Sequence, residues 1–264
     1  MNAIDKGLRT IDAFQELWRR DQWMNKLHPL AKLLSSIVYV AITASFHKYD
    51  IIGIAVMGIF PLFCLIAGEL SLSEGLYRMR LVLPLVIAVG ILNPFLDRNV
   101  LFHVGNVAVT GGVISMVTLM IRGLYTVLAV YVLAATTSVE EICYALRCLH
   151  VPNSLVLVVL LMGRYIYLLG TEASRITTAY HLRAPRQRGI HHRAWGTLVG
   201  QWLMRSMDKA ETVYESMCLR GFRGDFSMKK RKLRPGDLLY PSAWIGIFLL
   251  LRFTNLIESL GGLL

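Results

Sequence analysis

Residues 30–46, LAKLLSSIVYVAITASF, and residues 51–70, IIGIAVMGIFPLFCLIAGEL, are separated only by His47, Lys48, Tyr49 and Asp50, and that pairing decides the fold. A helix of about 20 apolar residues crosses the hydrocarbon core of a bilayer. Two such stretches joined by so short a connection form an antiparallel transmembrane hairpin.

Outward from the hairpin, three further stretches fit a span. Leu81 to Leu96 carries Pro84 and Pro94, which predicts a kinked span whose freed carbonyls need neighbouring helices or water. Gly112 to Thr137 is long enough to cross with tilt, and Leu238 to Ile257 closes the chain. Between the third and fourth spans, Val100 to Thr110 alternates loosely around Gly105 and Asn106, which fits a small exposed hairpin or an ordered loop. Leu155 to Leu169 is apolar but short for a span, and a charged helix follows it directly. It reads as a helix buried among the others or lying at the membrane surface.

Composition points the same way. With 55% hydrophobic residues and a mean hydropathy of +0.52, the 264-residue chain lies outside the soluble range, so lipid is the solvent for much of it. Lys and Arg outnumber Asp and Glu by 28 to 17, and positive residues are retained on the cytoplasmic side of a membrane. Lys6, Arg9, Arg19, Arg20 and Lys26 precede the first span, and Arg78 and Arg80 follow the second. The two connections that must then lie outside hold only Lys48 and Arg98. Ser138 to Asp237 holds sixteen Lys and Arg against eight Asp and Glu and belongs inside.

The expected architecture is therefore an all-α membrane protein of about five transmembrane helices plus a cytoplasmic platform of amphipathic helices. Residues 1–29 form a cytoplasmic segment, 30–137 hold four spans, 138–237 form the platform, and 238–264 hold the last span, with the C-terminus outside. Met1 to Lys26 lacks the apolar core and cleavage site of a signal peptide. Of the four cysteines, Cys143, Cys148 and Cys218 fall in the reducing cytoplasm and none forms a C-x-x-C pair with another, so neither disulfide nor zinc site is expected.

Two helices stand out in the platform. The first continues from Gly163 to Arg183, with Tyr165, Leu168, Leu169, Ile176 and Ala179 or Tyr180 at helical spacing and Arg164, Glu172 and Arg175 elsewhere. Pro185 forbids continuation, which leaves Arg183 in the last turn. The second runs from about Arg193 to Arg220, with Trp195, Val199, Trp202, Ser206, Ala210, Val213 and Met217 on one stripe and Arg205, Asp208, Glu211 and Glu215 off it. Gly221 supplies a left-handed cap and leaves Arg220 in the last turn. The chain thus uses one ending twice, Leu182-Arg183-Ala184-Pro185 and Leu219-Arg220-Gly221-Phe222. A cation at a helix C-terminus gains about 0.3 to 1 kcal/mol from the macrodipole with no further purpose. A guanidinium projecting past a helix end is also a planar fork of donors suited to carboxylates on a partner.

At these residues the sequence resembles the T component of energy-coupling factor importers, the EcfT/CbiQ family, and most closely its cobalt-transporter subunits. The likeness covers most of the chain: His28-Pro29-Leu30-Ala31-Lys32-Leu33, Tyr77-Arg78-Met79-Arg80, Asn93-Pro94-Phe95, Gly111-Gly112-Val113-Ile114-Ser115, and the run Ser216-Met-Cys-Leu-Arg-Gly-Phe-Arg-Gly224. The family carries two short Ala-Arg-Gly-like motifs at its coupling-helix ends. Here the first reads Arg-Ala-Pro, and the second has Cys218 where small residues are common.

The resemblance implies a bacterial or archaeal plasma-membrane scaffold that binds no cofactor of its own. Arg183 and Arg220 would dock into grooves on two cytosolic ABC-type ATPase subunits, which bind the ATP. Leu182, Ala184, Met217, Cys218, Leu219, Gly221 and Arg223 would surround those contacts. The platform would pass nucleotide-driven motion to a substrate-binding membrane S component, for cobalt or else for nickel or a vitamin, and a small accessory membrane subunit is a further candidate partner.

Other signals admit plainer readings. Arg122 lies midway along the fourth span without an obvious acidic partner; it is either a functional intramembrane charge or a side chain reaching the interface. His191 and His192 are adjacent, do not share a helix face and lack a third ligand, which favours a solvated loop over a metal site. Pro84 and Asn93-Pro94 fit hinges or kinks that shape a bundle. Lys229-Lys230-Arg231-Lys232-Leu233-Arg234 fits retention inside and attraction to anionic lipid, with no nucleic-acid partner. A membrane-embedded enzyme would need H-E-x-x-H or clustered carboxylates, and a secondary transporter an inverted repeat with a midplane polar site. None of these motifs appears in the sequence, and neither does a Walker sequence.

Overall fold

The computed structural model of the chain describes residues 3–20, 22–46, 50–71, 75, 83–96, 100–104, 107–185, 189–224 and 235–253. The predicted connection at 47–49, the cations Arg78, Arg80 and Arg98, the pair Gly105-Asn106 and the basic run from Lys229 to Arg234 lie outside the described residues. Among those described are eleven helices and one two-stranded antiparallel hairpin, β1 (Val100–Val104) with β2 (Val107–Thr110). A register shift between Val100 and Phe102 interrupts that hairpin. Of the two readings of Val100 to Thr110, a small hairpin or an ordered loop, the paired strands support the hairpin, and the described fold is all-α apart from it. The chain divides into two compact units, one of residues 1–19 and 138–230, the other of residues 20–137 and 231–264.

In the second of these units, α2 (Trp23–Lys26) precedes α3 (Pro29–Ser45), which begins with proline at a position where its missing N–H would be unpaired anyway. The buried His28 caps it, Nδ1 accepting the Leu30 N–H at 3.3 Å. The stretch expected as one second span is two helices, α4 (Ile51–Met57) and α5 (Ile59–Ala67), divided at Gly58. Pro61 explains part of this break. It has no N–H to give to the carbonyl of Met57, four residues back. The buried Tyr39 hydroxyl of α3 donates to that Met57 carbonyl instead, at 3.2 Å.

The third predicted span is α6 (Leu83–Leu96), with Pro84 in its first turn and Pro94 in its last, so neither proline sits mid-helix to kink it. The fourth is α7 (Gly111–Thr136), and the last is α11 (Pro235–Phe253), which starts three residues earlier than expected and carries Pro241 inside it. Helix α3 packs against both α7 and α11. Between α3, α5 and α11 the rings of Tyr39, Phe60, Trp244 and Phe248 stack in tilted and edge-on pairs 4.7 to 5.7 Å apart, the geometry that ring quadrupoles favour.

Helices α3 and α7 run antiparallel and are pinned at two levels. Near the start of α3, Lys32, 2% exposed, donates from Nζ to the carbonyl of Thr136, the last residue of α7, at 2.7 Å. At the end of α3, Arg122 of α7 donates to the carbonyls of Phe46 at 2.7 Å and Ala44 at 3.3 Å. The two pins are fourteen residues apart on both helices, about 21 Å at 1.5 Å per residue. Arg122 is thus level with the end of α3 and not with its middle. Arg252 of α11 joins it there, donating to the Ser45 carbonyl at 2.9 Å with its guanidinium over the Phe46 ring. The end of α3 is capped by an extended residue, Phe46, which satisfies none of these carbonyls itself. Two arginines do so.

The other unit holds α1 (Ala3–Arg19), α8 (Val139–Cys148), α9 (Asn153–Arg183) and α10 (His192–Leu219). The helix α1 falls in a segment for which the sequence suggested no element. A capping box between Ser138 and Glu141 starts α8. Residues 155–169 and the charged helix after them are one continuous helix of 31 residues, α9. Its apolar half is not buried within this chain; Leu155, Val158, Met162 and Ile166 are exposed, Met162 by 65%. That overturns burial among other helices as an explanation of 155–169. The helices α7 and α9 are the two described ones long and apolar enough to cross a membrane.

On α9, the buried Val156 and the half-buried Gly163 and Gly170 recur at sevens and so share one face. Val139 of α8 closes on Gly163, and Leu8 of α1 closes on Gly170, each so tightly that a Cβ there would meet it at 2.6 and 2.8 Å. Glu172, two residues past Gly170, points about 200° around the helix. There it meets α10.

Candidate functional site

The two Leu-Arg endings lie where the sequence places them along their helices. Arg183 is the last residue of α9 and exposed, Leu182 beside it is 77% exposed, and Ala184 is half-buried. The Ala184 N–H closes the helix onto the Tyr180 carbonyl at 3.0 Å. Pro185 has no N–H with which to continue.

Arg220 is the C-cap of α10, and Leu219 before it is 90% exposed. Gly221 has φ +82°, and its N–H donates to the Cys218 carbonyl at 2.9 Å while the Phe222 N–H donates to that of Met217 at 3.0 Å. These two bonds are the Schellman closure, which needs a residue in the left-handed region. Met217 is half-buried; Cys218 and Arg223 are exposed. Among the described residues, neither the Arg183 nor the Arg220 guanidinium has a hydrogen-bond or ion-pair partner.

The feature that sequence reasoning missed is a clasp between the two long helices. Trp202 of α10 donates from Nε1 to the Leu169 carbonyl of α9 at 3.2 Å. One turn along both helices, Arg205 donates to Glu172 at 2.6 Å, with Arg175 a further 3.8 Å neighbour of the same carboxylate. The Arg205 hydrogen bond holds the Glu172 carboxyl below its usual range. A signal for this pair was present. Glu172 is the only acid between Glu141 and Asp208, in a strongly basic region.

From the clasp, α9 runs eleven residues to Arg183, about 16 Å, and α10 runs fifteen residues to Arg220, about 22 Å. Each arm is unbroken helix. No residue of α10 is buried, and Trp195, Val199, Leu203, Met207 and Tyr214 are exposed along it. Of the stripe read from the sequence, Trp202, Ser206, Val213 and Met217 are half-buried and Trp195, Val199 and Ala210 exposed, so it is partly covered within this chain. His191 is the N-cap of α10, its Nδ1 accepting the Arg193 N–H and its own N–H donating to the Tyr180 hydroxyl, both at 3.3 Å. Among the described residues no three His, Cys, Asp or Glu side chains converge as metal ligands.

A family model described as cobalt transport protein matches residues 20–231. The chain is also 30% identical over 106 residues to the cobalt transport protein CbiQ of Rhodobacter capsulatus, a match covering 39% of this chain. It spans 42% of that relative, less than half its length.

Proposed function

Because this chain belongs to the cobalt transport protein (CbiQ) family, we propose that it is the non-catalytic coupling scaffold of an importer, passing the motion of two cytosolic ATPases to a substrate-binding membrane subunit. The observation that carries this reading is mechanical. Two unbroken helices are clasped to each other at one turn and linked again where the N-cap of α10 meets Tyr180 of α9, and each ends in an exposed Leu-Arg pair free to engage a partner.

Arg183 and Arg220 are the docking points in this reading, each offering a fork of donors to acidic groups in a groove of one ATPase. Leu182 and Leu219, apolar and exposed beside them, supply the contact area around each fork. Two rods joined at a fixed crossing and held at their far ends must change their mutual angle when those ends separate or approach. The spans attached to them then tilt. Five spans with the N-terminus inside and the C-terminus outside satisfy the loop charges. The apolar half of α9 lies along the membrane surface in this arrangement, because α9 is packed on α1 and α10, helices that carry charge along their length. Cobalt is the cargo that family membership favours, and it is selected by the partner membrane subunit.

The test is co-purification of this chain with the ATPases and membrane subunit encoded beside it, followed by uptake in vesicles. Arg220→Glu reverses the charge at an end whose helix is already closed by its backbone, and should lose the ATPases. Full recovery of ATPases and transport by Arg220→Glu and by Arg183→Glu refutes the docking assignment. Uptake of nickel or a vitamin in place of cobalt corrects the cargo alone.

A further inference from the structure

Three helices meet on a single turn of α9. On one side Leu169 and Glu172 receive Trp202 and Arg205 of α10, and on the other Gly170 receives Leu8 of α1. The amphipathic helix α1 turns Leu17 into the protein interior, while Gly7, Arg9, Thr10, Asp12, Gln15 and Glu16 stay exposed. Its attachment is intimate, since the absence of a side chain at Gly170 is what lets Leu8 approach the α9 backbone so closely.

From this geometry we infer that α1 is a brace of the coupling device: by seating Leu8 on Gly170 it backs the turn of α9 that carries the clasp, and so keeps the crossing point fixed while the arms move. The inference rests on the coupling role proposed above. A lever transmits the displacement of its end only if its pivot does not yield. The clasp by itself consists of two exposed or half-exposed polar contacts, which solvent weakens. Packing of α1 along the opposite face stiffens α9 at this turn, so load bends it less at the crossing. With α1 displaced, movement of the Arg183 and Arg220 ends is absorbed at the crossing and less of it reaches the membrane spans.

The experiment uses the complete assembly of this chain, its two ATPases and the substrate-binding subunit, purified and reconstituted in vesicles. Gly170→Leu places a branched side chain where Leu8 sits and at the same time raises the helix propensity of α9, so a loss cannot be attributed to unwinding of that helix. The expected result is that the ATPases remain bound and hydrolyse ATP, while uptake per ATP falls several-fold. Trypsin should also cut faster after Arg9 in detergent, because α1 has been released. Adding Leu8→Ala removes the obstructing side chain and should restore both the uptake ratio and the protection of Arg9. Wild-type uptake per ATP in Gly170→Leu with Arg9 demonstrably released overturns the inference, as does unchanged cleavage at Arg9. Failure of the unmodified chain to bind ATPases at all would instead overturn the coupling role on which the brace depends.

Discussion

Arg122→Leu separates two accounts of a charge midway along an apolar helix by the sign of its effect. Were Arg122 a solitary charge in hydrocarbon, its removal would relieve a cost of about 2.5 to 3.5 kcal/mol and stabilise the protein. In the structure it donates to the Phe46 carbonyl at 2.7 Å and to that of Ala44 at 3.3 Å. A hydrogen bond from a charged donor contributes about 1.5 to 3 kcal/mol, and the longer, more exposed contact adds little, so the loss comes to about 2–3 kcal/mol. For a unit of this size that corresponds to a fall of about 5–10 °C in melting temperature. The buried Cys64 of α5 gives a local reporter: with Cys143 replaced by Ala and the exposed Cys148 and Cys218 by Ser, its reaction with a thiol dye on heating tracks unfolding of this unit. Arg122→Lys keeps the charge without the planar fork and should recover only part of the loss. A higher melting temperature for Arg122→Leu, or full recovery by lysine, refutes the capping argument.

Tyr39→Phe should cost about 1–3 kcal/mol in the same assay by leaving the buried Met57 carbonyl unmet, and should cost clearly less in a Pro61→Ala background, where residue 61 regains an N–H for it. The Glu172 carboxyl is held below its usual range by Arg205, so the clasp is complete above the ordinary carboxylate pKa and is lost as pH falls through the lowered value. Spin labels on the exposed Cys148 and Cys218 should therefore report a broadened separation below that value, and Glu172→Gln should broaden it at neutral pH. Gly221→Ala meets no neighbouring atom, so its cost, about 1 kcal/mol, comes from the left-handed backbone alone. It should weaken ATPase binding by about fivefold, measured by titrating the ATPases onto the immobilised chain.

What the sequence made legible follows from how far each signal reaches along the chain. Hydrophobic runs and helix stops are local, so α3, α7 and the ends of α9 and α10 lie where periodicity, Pro185 and Gly221 put them. The division at Gly58 was not legible. Pro61 alone is compatible with a continuous bent helix, and the Met57 carbonyl it frees is met by Tyr39, 18 positions earlier and in no recognisable motif. Residues 155–169 misled for a related reason. An apolar run next to a charged one looks like two elements, whereas helix geometry is indifferent to the change in solvent. The clasp depends on pairings across more than thirty residues, Trp202 with Leu169 and Arg205 with Glu172, and the seat of α1 on Gly170 reaches further still. No periodicity within a helix encodes its register against another.

The structure also bears on why an arginine stands at the end of α9 and at the end of α10. At the end of α3 the cap residue is extended and three carbonyls in succession, those of Ala44, Ser45 and Phe46, take their donors from Arg122 and Arg252. There the guanidinium is needed to close a helix. At the end of α10 the backbone does that work, since the N–H groups of Arg220, Gly221 and Phe222 already reach the carbonyls of Ser216, Met217 and Cys218. The macrodipole still favours a cation, but at an exposed terminus that preference is small and screened by salt. Closing α10 therefore does not account for Arg220, which leaves its fork of donors available to a partner. The case differs at Arg183, where Pro185 withholds the N–H that a Schellman closure would use and the terminal carbonyls of α9 keep some need of a cation. A loss of coupling in Arg220→Glu thus reports on docking more directly than the same loss in Arg183→Glu, which also unsettles the end of its own helix.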